Sequence, residues 1–458
     1  MPTSNASTNP PSLIPTPHSV TDIAASARAD RNRAVDLYRA IAMVAVAIGH
    51  WLAIAIAAKP GGGVAGGNAL EQAPQMAWFS WVLQVMPLFF VVGGFSSAMS
   101  LDAHTQGADG TPGRPQDWVA ARLRRMVAPA VALATLWLIL VAAGYAVGLG
   151  GMVAAGATAA AIPLWFLSNY TIDTALAPYV LPRFRANPAR FALVGMGAFV
   201  AIELLRLIGV PWVSWINWVL GWLLFQVAGF AWRDGLLPTG RRLDAYAGLF
   251  WAGALGVVAF GPYPTSMVNV PGLEHSPTQP PTIALLLFGA AYSATALVFA
   301  PAVTRYLARS RRAWALVVAA NSFALSVYLW HMTAAVAASA VFYGLGALPA
   351  ASVGTPAWWL QKVPLLALSL VFLVGIVAAV SRIERKALFA PRTAWQGGQV
   401  SMLIAAGLLS VGVKLWAGGE VESVVLGCAI LLLVWHGRLS ATDRPSRASG
   451  ALTGSFRG

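Results

Sequence analysis

The chain has 458 residues, of which 58% are hydrophobic and 10% charged, with a mean hydropathy of +0.68. Soluble chains carry about 25% charged residues, so this one lacks the polar surface to cover a water-soluble body of its size; disorder, collagen and coiled coil are excluded by the same figures. The formal net charge of +14 comes from Lys and Arg dispersed between apolar runs, with no soluble basic domain, which argues against a nucleic-acid partner.

Residues 1–32 are rich in Pro, Ser, Thr and Ala and lack the apolar core of a signal peptide. They read as a disordered cytoplasmic tail. Twelve apolar stretches follow, at 37–58, 77–100, 126–149, 162–182, 190–209, 213–232, 245–262, 282–303, 314–343, 360–381, 399–416 and 420–436. A helix needs about 20 apolar residues to cross a bilayer. The pattern predicts an all-α polytopic integral membrane protein with about twelve transmembrane helices; the fourth, seventh and last two stretches are short or interrupted. With the N-terminus in the cytoplasm, 26 of the 30 Lys and Arg fall on cytoplasmic tails and loops. Lys59, Arg206, Lys362 and Lys414 fall on the other side. This is the positive-inside pattern, and it predicts a multi-pass protein of the cell membrane, in contact with its lipids, with both termini cytoplasmic and 438–458 as a second tail. The single cysteine, Cys428, allows no disulfide within the chain. No repeat relates the two halves, which weighs against the commonest transporter architectures.

An ionisable group inside a span costs about 2.5–3.5 kcal/mol near its centre, so each one calls for an explanation. The first span holds Arg39 and His50, eleven residues apart. At 100° per residue they lie about 20° from one line and about 16.5 Å apart along the axis. Arg39 then sits at the cytoplasmic edge and His50 near the membrane middle, with Asp36 one turn back to hold Arg39. Taken singly, Arg39 reads equally as a snorkelling anchor and His50 as a packing residue. Sharing one stripe favours function. Arg122, Arg124 and Arg125 add cations at the start of the third span. In the ninth, His331 lies about 27 Å from the cytoplasmic end if the helix is continuous, deeper than His50, with Tyr328 on the same face. A contact with an acceptor and a structural hydrogen bond between spans are both open for it.

Glu203 and Arg206 are spaced to pair on a helix. Asn217, Gln226 and Asn321 read as interhelical glue, and Asp173 as functional or as part of a helix interruption. Trp78, Trp81, Trp212, Trp215 and Trp218 lie near span ends and read as interface anchors. The proline-rich loop 261–281, carrying Glu274 and His275, is long enough for an acceptor mouth, a plain connector being the alternative. The six histidines show no metal-binding spacing, so no metal is expected.

The Arg–ten residues–His pattern opening the first span resembles the membrane acyltransferase 3 family. Further segments resemble that family in order: PLFFVVGGF (87–95), ARLRRMVAP (121–129), PLWFL (163–167), SVYLWH (326–331) and SRIERKALF (381–389). Gly93 stands where the family usually has Ser. The resemblance spans 33–390, ten spans, and leaves 391–437 as two additional C-terminal helices. It implies transfer of an acyl group, often acetyl, from cytoplasmic acyl-CoA to a hydroxyl on a carbohydrate, cell-envelope or lipid-linked acceptor. Acyl-CoA would be a co-substrate, with no permanently bound cofactor. Arg39, Arg122 and Arg125 are then expected on its phosphates, which guanidinium matches bidentately. His50 and Arg39 are expected as the catalytic residues, with His50 the general base or a nucleophile passing through an acyl-histidine. Ser326, Tyr328 and His331 are expected at the acceptor. A multi-span exporter of a lipid-linked or small-molecule substrate is the rival reading: twelve spans fit it, but the motifs do not.

Overall fold

The structure, a computed structural model, describes residues 31–58, 64–107, 110–273 and 275–388. The expected N-terminal tail up to residue 30, Glu274, Cys428, the eleventh and twelfth stretches and the second tail lie outside the described residues. The described chain is an all-α polytopic membrane protein. Its main helices are α1 (Arg33–Ala53), α2 (Met86–Thr105), α3 (Pro115–Ala146), α4 (Gly150–Ala160), α5 (Leu164–Ala186) and α6 (Pro188–Leu207). They continue with α7 (Trp215–Arg233), α8 (Arg241–Phe260), α9 (Ile283–Arg309), α10 (Arg311–Ser322), α11 (Ala324–Gly344) and α12 (Pro356–Leu388). Nine helical stretches among the described residues are long and apolar enough to cross a membrane. Each of the first ten expected spans has a helix. The third, α3, has its apolar run in Ala132–Ala146, shorter than the others.

Local chemistry sets several boundaries. The Asn32 side chain accepts from the backbone N–H groups of Ala34 and Val35, capping α1, and Asp36 occupies its first turn. The helix stops at Ala53 instead of running to 58 as the apolar pattern suggested. Ile54–Ala58 instead pairs antiparallel with Val64–Asn68, Ile54 opposite Asn68. Apolar content alone cannot separate the two states, and the β-branched Ile54 and Ile56 ahead of a Pro-Gly-rich segment favour the strand. Lys362 of α12, buried over the Trp358 ring, donates to the Ile54 carbonyl and ties this hairpin to the bundle.

The ninth expected span is not continuous. It breaks at Phe323 (φ −113°, ψ 3°) between α10 and α11. Just before the break the Asn321 side chain donates to the carbonyls of Val317 and of Asp36 in α1, both at 2.8 Å, and Ser322 Oγ donates to Val318 O at 3.0 Å. Side chains competing for backbone carbonyls in this way weaken a helix locally. His331 is therefore seven residues into α11, and it lies beside His50 instead of deeper in the membrane.

Helices α2 and α7 pack closest. A Cβ at Gly94 would fall 2.0 Å from the Gln226 carbonyl oxygen, and one at Gly229 would fall 2.0 Å from that of Val91. Only glycine permits this approach, the small-residue packing common in membranes. Helices α6 and α8 form the least buried part and present Leu193, Leu249 and Phe260 outward, as lipid-facing surface should. Trp78 and Trp212 are exposed, as interface anchors would be, but Trp81 and Trp218 are buried. Trp81 donates instead to the Thr265 carbonyl, at 2.7 Å.

Candidate active site

Four helices (α1, α2, α3 and α5), joined by the α10–α11 break, enclose a cavity of about 480 Å³. Arg31, Arg39, Arg122 and Arg125 line its mouth, together with one carboxylate, Asp36. Asp36 pairs with Arg31 at 2.8 Å and with Arg39 at 3.4 Å, the expected one-turn pair. The second Arg39 nitrogen donates to Ser96 Oγ at 2.5 Å. Arg122 donates to Ser100 Oγ at 2.6 Å and to Ser96 O at 3.3 Å, and lies 4.8 Å over the Trp118 ring. The α2 residues Ser96 and Ser100, one turn apart, thus steer two of the predicted arginines. Nothing in the sequence marked them beyond their spacing beside the glycines. The Arg124 side chain lies outside the described residues.

Farther in, the cavity becomes apolar and aromatic, with Met43, Phe89, Phe166, Leu325 and Tyr328 in its wall. Tyr170 lines it too, and its ring packs against Gly93, where a Cβ would sit 2.6 Å from Tyr170 Cε2. A serine at position 93 would displace that ring, which accounts for the glycine.

The predicted stripe on α1 is real. Arg39 and Met43 line the cavity, Val46 is buried, and His50 turns inward. The cavity ends at Met43 and does not include His50, which lies seven residues or about 10.5 Å beyond it along the helix. His50 Nδ1 is 2.9 Å from His331 Nε2. The rings are 15° from parallel with centroids 5.1 Å apart, so they meet edge to edge in nearly one plane. His331 is fully buried, and its Nδ1 lies 2.6 Å from the Tyr328 carbonyl oxygen. The indole N–H of Trp51 donates to the His331 carbonyl at 2.8 Å, locking α1 to α11 beside the pair. Tyr328 lines the cavity with its ring while its hydroxyl donates to Pro163 O at 2.9 Å. Ser326 is buried on the same helix.

Of the other sequence candidates Asn321 also lines this cavity, and those that follow stand apart from it. Glu203 and Arg206 form a bidentate pair at 2.8 and 2.9 Å. Tyr263 donates to Glu203 at 2.8 Å, and Arg206 donates to His275 Nδ1 at 3.1 Å. Burial and the adjoining Glu203 carboxylate push the Tyr263 phenol above its ordinary range. Arg206 also borders a smaller cavity of about 310 Å³ under the loop 269–280. Asn217 donates to Phe199 O at 3.2 Å, a bond between helices, as expected. Asp173 and Gln226 are buried without hydrogen-bond partners for their side chains among the described residues.

The described residues form a membrane-embedded helical body. The chain belongs to the acyltransferase 3 family: the family model described as an acyltransferase domain matches residues 32–378. Comparison with curated proteins and with solved structures gave no match.

Proposed function

We propose that the protein is an O-acyltransferase of the cell membrane. It takes an acyl group, with acetyl as the first candidate, from cytoplasmic acyl-CoA and passes it to a hydroxyl of a carbohydrate, cell-envelope or lipid-linked acceptor. The observation that carries this reading is that the arginine-mouthed cavity and His50 share one stripe of α1. The polyanionic end of acyl-CoA suits the mouth, where Arg39, Arg122 and Arg125 would hold phosphate oxygens. The arginine-rich end then faces the cytoplasm, as do both termini. The slim thioester arm suits the apolar part of the cavity, lined by Phe89, Phe166 and Tyr328, and must extend beyond Met43 to reach His50.

At His50 the acceptor hydroxyl loses its proton to the imidazole as its oxygen attacks the thioester carbonyl. The tetrahedral adduct collapses, the C–S bond breaks, and the coenzyme thiolate takes the proton back from the imidazolium. Ester and free thiol are the products, and atoms and charge balance. The acceptor would approach from the opposite end, where the hairpin starting at Ile54 follows His50 by four residues. No observation favours the exporter reading.

The test is transfer of labelled acetyl from acetyl-CoA by the full-length protein reconstituted in lipid, with His50→Ala and Arg39→Ala alongside. Loss of transfer in both variants is expected. Full transfer by both would overturn the reading.

A further inference from the structure

His331 does not face the cavity, and its hydrogen-bond partners include His50 and the Tyr328 carbonyl for its ring and the Trp51 indole for its backbone carbonyl. Their hydrogen-bonding roles can be assigned in sequence. A backbone carbonyl only accepts, so the His331 Nδ1 that lies 2.6 Å from Tyr328 O carries the proton. A neutral imidazole has one N–H and one lone pair, so His331 Nε2 presents its lone pair to His50. The facing atom, His50 Nδ1 at 2.9 Å, must then be the donor, because two lone pairs at that distance repel. The nearly coplanar, edge-to-edge arrangement of the rings is the geometry such a bond requires. That leaves His50 Nε2 with the free lone pair.

We infer that His331 is a positioning residue that holds His50 in the Nδ1–H tautomer through its own bond to the Tyr328 carbonyl, and so makes Nε2 the atom that takes the acceptor's proton. This rests on the reading of His50 as the base. It assigns His331 a role through His50 in place of a contact with the acceptor. The arrangement follows the general logic of a base oriented by a third group, here with a second imidazole and a helix carbonyl as the orienting chain. When His50 becomes an imidazolium, its Nδ1–H keeps the same acceptor, so no reorganisation is needed in mid-reaction.

The test pairs kinetics with spectroscopy on the full-length protein in lipid. Solid-state NMR of ¹⁵N-histidine-labelled protein reads the tautomer directly, with the His50 signal assigned by its loss in His50→Gln. The expected result is a protonated Nδ1 and a bare Nε2 for His50. His331→Ala should lower kcat about 100-fold or more with KM for acyl-CoA little changed, and should scramble the His50 tautomer. His331→Gln, which can place an amide oxygen near the lost Nε2, should restore much of both. An Nε2–H tautomer for His50 in the unaltered protein overturns the inference, as does an unchanged kcat in His331→Ala. Should His331→Ala fail to fold, the tautomer of the unaltered protein decides alone. Activity retained in His331→Ala but lost in His50→Ala removes this inference and leaves the proposed function standing. Activity retained in His50→Ala removes the assignment of His50 as the base, and this inference with it, whatever the tautomer; the proposed function falls only if Arg39→Ala retains full transfer as well.

Discussion

Arg39 and Ser96 meet across the α1–α2 interface at 2.5 Å, with the guanidinium as donor. Ser96 donates its own proton to Val92 O at 2.9 Å, so its lone pairs are free to receive Arg39. Arg122 reaches the carbonyl of the same serine from α3. One residue of α2 therefore sets the spacing of two cations at the cavity mouth. On the proposed function, Ser96→Ala should raise KM for acyl-CoA a few-fold with kcat unchanged, since it loosens Arg39 without removing charge. Arg39→Lys keeps the charge but loses the planar fork, and a rise of about 10-fold is expected, worth about 1.4 kcal/mol. Steady-state kinetics against acyl-CoA concentration read both; an unchanged KM in Arg39→Lys would refute the phosphate-holding role.

The glycine contact between α2 and α7 gives a prediction independent of chemistry. Gly94→Ala and Gly229→Ala each drive a methyl into backbone 2.0 Å away. Overpacking of this kind costs about 1–3 kcal/mol, and backbone yields less readily than a side chain. Both variants should unfold at lower temperature in detergent. Gly197→Ala, which meets nothing within 4 Å on α6, is the control and should not lose stability. Equal behaviour of the three would mean that α2 and α7 do not pack as described.

Gly93 and Tyr170 should behave as a coupled pair. Gly93→Ser puts a Cβ 2.6 Å from the Tyr170 ring, in the wall of the cavity. The displaced ring should weaken acyl-CoA binding. Adding Tyr170→Ala removes the clash, so the double variant should lose less than the sum of the two single losses. Additive losses in binding measurements would separate the two residues.

The Glu203–Arg206 pair is held away from the arginine-mouthed cavity, and its loss should affect stability before activity. The Glu203 side chain is fully buried and that of Arg206 is 14% exposed. Glu203→Gln leaves a charge in place without its partner, at a cost of about 3–5 kcal/mol. Tyr263→Phe removes one bond to a charged group, about 1.5–3 kcal/mol. The phenol is raised in the folded protein, so its contribution is complete below its ordinary value of about 10 and fades only as pH rises through the higher folded value. The melting-temperature gap between unaltered protein and Tyr263→Phe should stay constant from about pH 6 to 9. A gap that closes within that window would contradict the assignment.

Legibility followed the range of the interaction. The lining-up of Arg39 with His50 was readable because helical period is local, and Asp36 beside Arg39 for the same reason. The pairing of Glu203 with Arg206 was readable too. The end of α1 at Ala53 was not, since an apolar run of that length serves helix and strand alike. Nor was the break at Phe323, which depends on Asn321 finding the Asp36 carbonyl on another helix.

By itself the sequence determined a lipid-embedded helical body, the order of its spans, the phase of the α1 stripe and the clustering of arginines at one end, because composition and 3.6-residue periodicity act within a single segment. Only the tertiary structure decided that His50 and His331, 281 residues apart, share a hydrogen bond, and that the cavity stops at Met43, two stripe positions short of His50. Those outcomes depend on where a helix breaks and on which backbone carbonyl faces which ring, and both are set by packing between helices.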